Sequence, residues 1–199
     1  MIVRYLTHPQ VLIDPNVPVE RWRLDDIGRA RVAAIVDAAA LRETRAIVSS
    51  AETKAIETAG PIAQALDLEL IVRAKTHEND RTATGFLPPP EFEPVVDRFF
   101  AAPEQSVLGW ERAVDAQSRI VAEVMAVLRT APEGDVLFVG HGGVGTLLMC
   151  HIAGRPIARS HDQLAGGGNV FAFERASLRL SQGWQAMETL NHPRMADPA

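Results

Sequence analysis

The sequence lacks several features that would assign a class of protein at once. Its 199 residues contain a single cysteine, Cys150, so no intrachain disulfide can form, which favours a reducing compartment. No apolar run approaches the roughly 20 residues that cross a bilayer, and the amino terminus lacks the segment order of a signal peptide. The net charge of −5 gives no basic excess for nucleic acid or an anionic membrane. We therefore expect a cytoplasmic protein without nucleic-acid or membrane partners.

Motifs for metals and nucleotides are missing as well. The six histidines never occur with His-x-x-x-His spacing, and no Cys-x-x-Cys pair is present. The glycine-rich segment 140–145 is not followed by lysine and serine or threonine, so it is not a nucleotide-binding P-loop. We expect no metal ion and no cofactor.

What the sequence does have is a succession of short apolar runs and amphipathic segments. The runs predict strands and the amphipathic segments predict helices. The predicted strands are 2–7, 46–49, 68–72 and the run ending at His141, and the predicted helices are 25–40, 51–66, 110–129 and 144–152. Residues 169–174 and 178–180 look like a closing hairpin, and the tail after Asn191 is expected to fray. This alternation predicts a three-layer α/β/α sandwich around a mostly parallel central sheet.

We expect one domain over residues 1–199, because the chain is long enough for one sizeable core. Residues 73–105 contain five prolines and no long periodic pattern. A stretch of this kind inside a compact domain is usually a functional lid or insertion.

Two histidines stand at the ends of predicted strands. His8 closes the first run and His141 closes the fourth. Because chemistry in open α/β sheets collects beyond the carboxyl ends of the strands, the two imidazoles could meet in one cleft. Gly142, which follows His141, would leave backbone N–H groups exposed at a helix start, where an anion binds well, or would simply permit a tight turn. Lys54, about one turn into another helix, is either a phosphate counter-ion or a solvated lysine.

The order of these segments resembles the histidine phosphatase superfamily, which has the phosphoglycerate mutase-like fold. The resemblance runs from residue 2 to about residue 175. It rests on Thr7-His8-Pro9-Gln10, Leu24–Arg31, Ser49–Ala59, Gly109-Trp110-Glu111, Val139–Gly143 and Asn169.

The resemblance implies a role for each candidate residue. His8 would be the nucleophile that forms a phosphohistidine, and His141 would stabilise the charge on the phosphoryl oxygens. Glu78, in the insertion, would be the acid that protonates the leaving group, with Asp80 as the alternative. A general acid needs a raised pKa, which closure of the insertion over apolar surface could provide.

The sequence departs from the family pattern around the phosphoryl group. Thr7 and Lys54 stand where the family has two arginines, and Pro9 stands where it has a glycine. Arginine grips phosphate with a planar fork, whereas lysine is a point charge and threonine only a hydroxyl. Arg81, in the insertion, or Arg4, on the first strand, could supply replacement charge.

Two hypotheses follow from the sequence. The first is a phosphatase: a metal-independent phosphomonoesterase that acts through His8 on a small phosphorylated molecule. The second is a regulatory module that binds a phosphorylated or other anionic ligand without turnover. Apolar edges of the helix at 107–130 or of the final hairpin could form a homodimer.

Overall fold

The computed structural model describes residues 1–192, so most of the predicted frayed tail lies outside the described residues. Its core is a six-stranded sheet in the order β3-β2-β4-β1-β5-β6. The strands are β1 (Ile2–Thr7), β2 (Thr44–Ser50), β3 (Leu70–Arg73), β4 (Asp135–Gly140), β5 (Asn169–Glu174) and β6 (Leu180–Ala186). The first four are parallel, and the β5–β6 hairpin pairs antiparallel against β1. The predicted mostly parallel sheet is confirmed.

Helices cover both faces of the sheet, as predicted for a three-layer sandwich. They are α1 (Asp26–Ala33), α2 (Thr53–Ala65), α3 (Pro89–Ala101), α4 (Ala113–Thr130) and α5 (Gly142–Ile152). Successive strand residues point to opposite faces, so Leu6 packs with α1 and α2 whereas Tyr5 packs with α3, α4 and α5. In residues 1–192, no helix is both long and apolar enough to cross a membrane.

The first helix is shorter than the sequence predicts. Asp25 caps it, as expected, by accepting a hydrogen bond from the N–H of Gly28 at 2.7 Å. The helix ends at Ala33 rather than near Ala40. Beyond that point the chain makes tight turns in which Ile35, Ala38 and Leu41, three residues apart, are all buried. A repeat of three matches 3₁₀ geometry better than an α-helix.

The insertion contains a helix that the sequence analysis missed. Helix α3 spans Pro89–Ala101 and buries Val95, Val96, Phe99 and Phe100 against the core. Its first prolines lie at the helix start, where a missing N–H costs nothing. The number of prolines in this segment argues against a helix, but the spacing of these four apolar residues is helical.

Candidate active site

The two histidines meet at the carboxyl edge of the sheet. Strands β1 and β4 are neighbours, with Thr7 opposite Gly140, so His8 and His141 follow them side by side. The backbone N–H of His8 donates to the carbonyl of Gly140 at 2.9 Å. The imidazole rings lie edge to face with their centroids 5.4 Å apart.

The contacts of His8 fix its tautomer. Its Nδ1 lies 2.8 Å from the carbonyl oxygen of Pro9, which can only accept a hydrogen bond, so Nδ1 carries the proton. Nε2 is therefore left with a lone pair. Burial, followed by the charge of Lys54, lowers the pKa of His8 to about 4. The ring is neutral and nucleophilic at neutral pH.

His141 is fully buried and held from two sides. Tyr5 accepts a hydrogen bond from the backbone N–H of His141 at 3.1 Å. The imidazole Nε2 lies 2.8 Å from Ser50 Oγ and 3.3 Å from Glu52 Oε1. Burial places the pKa of His141 well below its ordinary value. The Ser50 hydroxyl can donate or accept, whereas the Glu52 carboxylate can only accept, so its contact favours the tautomer of the neutral ring with the proton on Nε2.

Glu78 occupies the amino terminus of α5. Its carboxylate accepts hydrogen bonds from the N–H groups of Gly143 at 3.0 Å and Val144 at 2.9 Å. Burial alone would raise the pKa of Glu78, but His141, Arg81 and the backbone N–H groups of Val144 and Asn79 hold it below its ordinary value. The expectation of a raised pKa is therefore wrong for the structure without substrate: Glu78 is an ionised helix cap.

The glycines after His141 are required by close neighbours. A Cβ atom at Gly142 would lie 2.0 Å from Nε2 of Gln163, and one at Gly143 would lie 2.7 Å from a carboxylate oxygen of Glu78. Either contact is too short for a side chain. The glycine pair thus lets Gln163 and Glu78 approach the helix start from outside.

Lys54 is near the histidines but is not a free cation. Its Nζ lies 2.5 Å from Glu52 and donates to the carbonyl of Val19 at 2.8 Å. Both charged side chains are over 90% buried. The other oxygen of Glu52 accepts a hydrogen bond from the backbone N–H of Glu78 at 2.9 Å. The expected counter-ion is therefore paired internally.

Thr7 also has protein partners. Its hydroxyl donates to Oε1 of Gln163 at 2.7 Å and accepts from the N–H of Asn169 at 2.9 Å. The side-chain amide of Asn169 donates to the same Gln163 oxygen at 3.2 Å. These bonds orient the Gln163 carboxamide with its oxygen toward Thr7 and its Nε2 toward Gly142.

The remaining candidates lie at the wall of the site or away from it. Arg81 lies over the ring of Phe92, 4.9 Å from its centroid, and lines the cleft. Asp80 is exposed, and its carboxylate is bound by Thr82, which lowers its pKa. Arg4 forms an ion pair with Asp135, the first residue of β4, so it takes no part at the carboxyl edge.

Two adjoining cavities reach the carboxylates that surround the histidine pair. The inner one, of about 190 Å³, is lined by residues that include Glu52, which contacts His141, and by Glu78, Asn79 and Arg81. The outer one, of about 380 Å³, is lined by residues 15–20, 81–82 and 85–86, and it shares residues 19–20 and 81–82 with the inner one. The cleft wall thus combines the first loop with the insertion.

The sequence analysis missed several residues that build the site. Glu52 and Gln163 contact the candidates directly, and Tyr5 holds the backbone of His141. Arg119, on α4, donates to the carbonyl oxygens of His77 and Glu78 and so holds the insertion in place. Of these residues, Glu52 alone could have been suspected from the sequence, because it lies between the paired serines and Lys54.

The comparisons with known proteins agree with this geometry. The sequence profile described as histidine phosphatase superfamily (branch 1) matches residues 19–177, which begins after His8. No curated protein matches the sequence.

Solved structures show the same fold at low identity. The mycobacterial glucosyl-3-phosphoglycerate phosphatase Rv2419c, in complex with inorganic phosphate, has a TM-score of 0.78 at 19% identity, over 94% of this chain and 98% of that one. YhfR from Bacillus stearothermophilus has a TM-score of 0.74 at 21% identity, over 91% and 94%. A phosphoserine phosphatase from Entamoeba histolytica, in complex with 3-phosphoglyceric acid, has a TM-score of 0.75 at 12% identity, over 94% and 98%.

Proposed function

Because the chain belongs to the histidine phosphatase superfamily, we propose that it hydrolyses small phosphate monoesters through a phosphohistidine on His8, without a metal ion. The observation that carries this proposal is the bond from His8 Nδ1 to the carbonyl of Pro9, which leaves Nε2 as a neutral nucleophile.

The reaction has two transfers. His8 Nε2 attacks phosphorus while the bond from phosphorus to the leaving oxygen breaks. Glu78, which is ionised before substrate binds, must first take up a proton and then delivers it to that oxygen. Water then attacks the phosphohistidine, releases phosphate and restores the neutral ring. Glu78 is preferred to Asp80 because Glu78 lies in Coulombic range of both histidines, whereas Asp80 is exposed and bound to Thr82.

Neutral hydrogen-bond donors and one arginine would stabilise the charge on the phosphoryl oxygens. Glu78 holds the N–H groups of Gly143 and Val144, which would serve the oxygens once the carboxylate moves to the leaving group. Gln163 presents its Nε2 above Gly142, at the start of the same helix. Arg81 supplies positive charge from the wall.

The test is turnover by the purified protein on a panel of phosphate monoesters with a chelator present. Activity in wild type that persists with chelator and is lost in His8→Ala supports the proposal. A control variant, His192→Ala, alters an exposed histidine outside the site and should retain activity. Equal activity in wild type and His8→Ala would refute the phosphohistidine route.

A second candidate is a binding module for an anionic ligand. The observation in its favour is that Glu52 neutralises Lys54 while Glu78 occupies the helix terminus, so the groups that would bind phosphate are already engaged. Saturable binding of a phosphorylated ligand without any turnover would support this candidate over the enzyme.

A further inference from the structure

The ionised groups around the histidine pair balance in charge. Lys54 and Arg81 are the cations, and Glu52 and Glu78 are the carboxylates in Coulombic range of the two rings. Lys54 is paired with Glu52 at 2.5 Å, and both rings are neutral at neutral pH. A phosphate monoester dianion would bring two uncompensated charges into this partly buried site, and burial of unpaired charge is costly.

The site also lacks a proton for the leaving group. Glu78 accepts two N–H bonds at the start of α5, which stabilise its ionised form. Asp80, the alternative acid, is likewise stabilised as a carboxylate by Thr82. The proton that the reaction needs must therefore arrive with the substrate.

Two polar atoms of the site are buried and without partners among the described residues. One is Nδ1 of His141, which is an acceptor because the ring proton lies on Nε2, between Ser50 and Glu52. The other is Nδ2 of Asn79, a donor; Asn79 is 7% exposed and lines the inner cavity. A phosphoryl group that carries one hydroxyl and two oxygens sharing a single negative charge offers a donor to the first atom and acceptors to the second.

From the balanced charges and these two atoms, we infer that the site selects the monoanionic form of a phosphate monoester, ROPO₃H⁻, and uses the substrate's own proton for the leaving group. This inference rests on the proposed function, since it names the form of substrate that the same site takes.

The step balances in atoms and charge. The hydroxyl on phosphorus turns from His141 Nδ1 to Glu78 and gives its proton to that carboxylate, which passes it to the leaving oxygen. As the phosphorus–oxygen bond breaks, a bond from phosphorus to His8 Nε2 forms. The products are the neutral alcohol and an N-phosphorylated imidazolium with one net negative charge, equal to the charge that entered. Addition of water then gives H₂PO₄⁻ and the neutral ring.

Other titratable groups face the pair from the surrounding elements. They are Tyr5 on β1, His77 and Asp80 in the insertion, Glu111 and Arg119 around the start of α4, and Asp162 in the loop after α5. Burial raises the pKa of Tyr5, which keeps it neutral, and also raises the pKa of Asp162. Arg119 is the one arginine or lysine in this set, and Glu111 already pairs with it at 2.7 Å.

The kinetic test is the pH dependence of kcat/KM for two esters whose second ionisations differ, phenyl phosphate and 4-nitrophenyl phosphate. We expect kcat/KM to fall about tenfold per pH unit above the second pKa of each ester, which lies near 6 for phosphomonoesters. The break should move with the ester. Turnover that depends on His8 but stays flat, or breaks at the same pH for both esters, would overturn this inference and leave the phosphatase standing.

A binding test decides the inference even if no ester is turned over. Calorimetry should show inorganic phosphate binding as the monoanion at about pH 5 and losing at least about tenfold in affinity as the dianion at about pH 8.5. Dimethyl phosphate, a monoanion at both values, is the control for titration of the protein and should change little. Equal or tighter binding of the phosphate dianion would overturn the inference.

Variants at the buried pair test the charge argument directly. Glu52→Gln gives the site one net positive charge and should recover at least about tenfold of the lost affinity for the phosphate dianion. Glu52→Gln combined with Lys54→Gln restores neutrality and should restore the wild-type preference for the monoanion. If Glu52→Gln is folded by circular dichroism and leaves the preference unchanged, the charge balance does not set the selectivity.

Discussion

Glu52 bridges Lys54 and His141: one carboxylate oxygen lies 2.5 Å from Lys54 Nζ, and the other lies 3.3 Å from His141 Nε2. A single buried carboxylate thus neutralises the one lysine at the site and positions a ring proton. Lysine at residue 54, where the family pattern has arginine, therefore changes more than the geometry of the cation. It accompanies an internal pair that leaves the centre without net charge.

This pair makes a prediction for stability. Lys54→Met would leave Glu52 buried without its cation, and removal of one partner of a buried pair typically costs about 3–5 kcal/mol. The free energy of unfolding from urea titration measures the loss. Lys75→Met, at an exposed position, is the control and should change stability by less than about 0.5 kcal/mol. Equal values for the two variants would contradict the role given to the pair.

The close approach of Glu78 to α5 predicts the effect of a single methyl group. Gly143→Ala would place a Cβ atom 2.7 Å from the Glu78 carboxylate and push it off the helix terminus. We expect kcat to fall by at least about tenfold and stability to fall by about 1 kcal/mol. Gly60→Ala, in α2, meets no atom within 4 Å, but Pro61 follows it and disfavours helical backbone at a residue with a Cβ, which offsets the gain in helix propensity. This control should change stability by less than about 1 kcal/mol and leave kcat unchanged. A Gly143→Ala variant with full activity would show that the carboxylate contact is dispensable.

The hydrogen bonds of Thr7 predict that residue 7 needs a hydroxyl group more than it needs a particular shape. Thr7→Val keeps the shape but leaves the buried N–H of Asn169 and the Gln163 oxygen short of a partner, so we expect a loss of about 1–3 kcal/mol in urea unfolding. Thr7→Ser keeps both bonds and should lose less. If valine is tolerated better than serine, packing and not hydrogen bonding governs this position.

The lowered pKa of His8 predicts how stability depends on pH. Its folded pKa of about 4 is below the ordinary value of 6.5, so the unfolded chain binds the proton first as pH falls. The stability that the neutral ring contributes is complete above about pH 6.5 and is lost between about pH 6.5 and about pH 4, by about 3 kcal/mol.

His8→Gln lacks that titration and should lose about 3 kcal/mol less than wild type over the same range. Urea titrations at half-unit steps of pH would measure the difference. Parallel stability curves for the two proteins would mean that His8 titrates normally in the folded state. His141 titrates in both proteins, but its pKa is lowered in part by His8, so the difference between the curves reports His8 together with this coupling.

The sequence predicted the part of the site that depends on strand order. His8 and His141 each end a parallel strand, and parallel strands end at one edge, so their meeting follows from local pattern. The role of Gln163 could not be predicted, because its partner Thr7 is 156 residues away in the sequence. No local periodicity reports such a contact.

The errors have physical causes too. The pKa of Glu78 was expected to rise through burial, yet His141, Arg81 and the N–H groups of Val144 and Asn79 together outweigh burial. Helix α3 was overlooked because its prolines were counted without regard to position. Three of them, at 88–90, lie at the helix start, where proline is accepted, and Pro94 alone lies inside the helix.

The most direct test of the account is to trap the covalent intermediate. Wild-type protein mixed with a phosphate monoester and quenched in base should carry one phosphoryl group on the peptide that contains His8, at Nε2, by mass spectrometry and phosphorus NMR. His8→Ala should carry none. Turnover by wild type with an unphosphorylated His8 under single-turnover conditions, or a phosphoryl group on any other residue, would contradict the central claim.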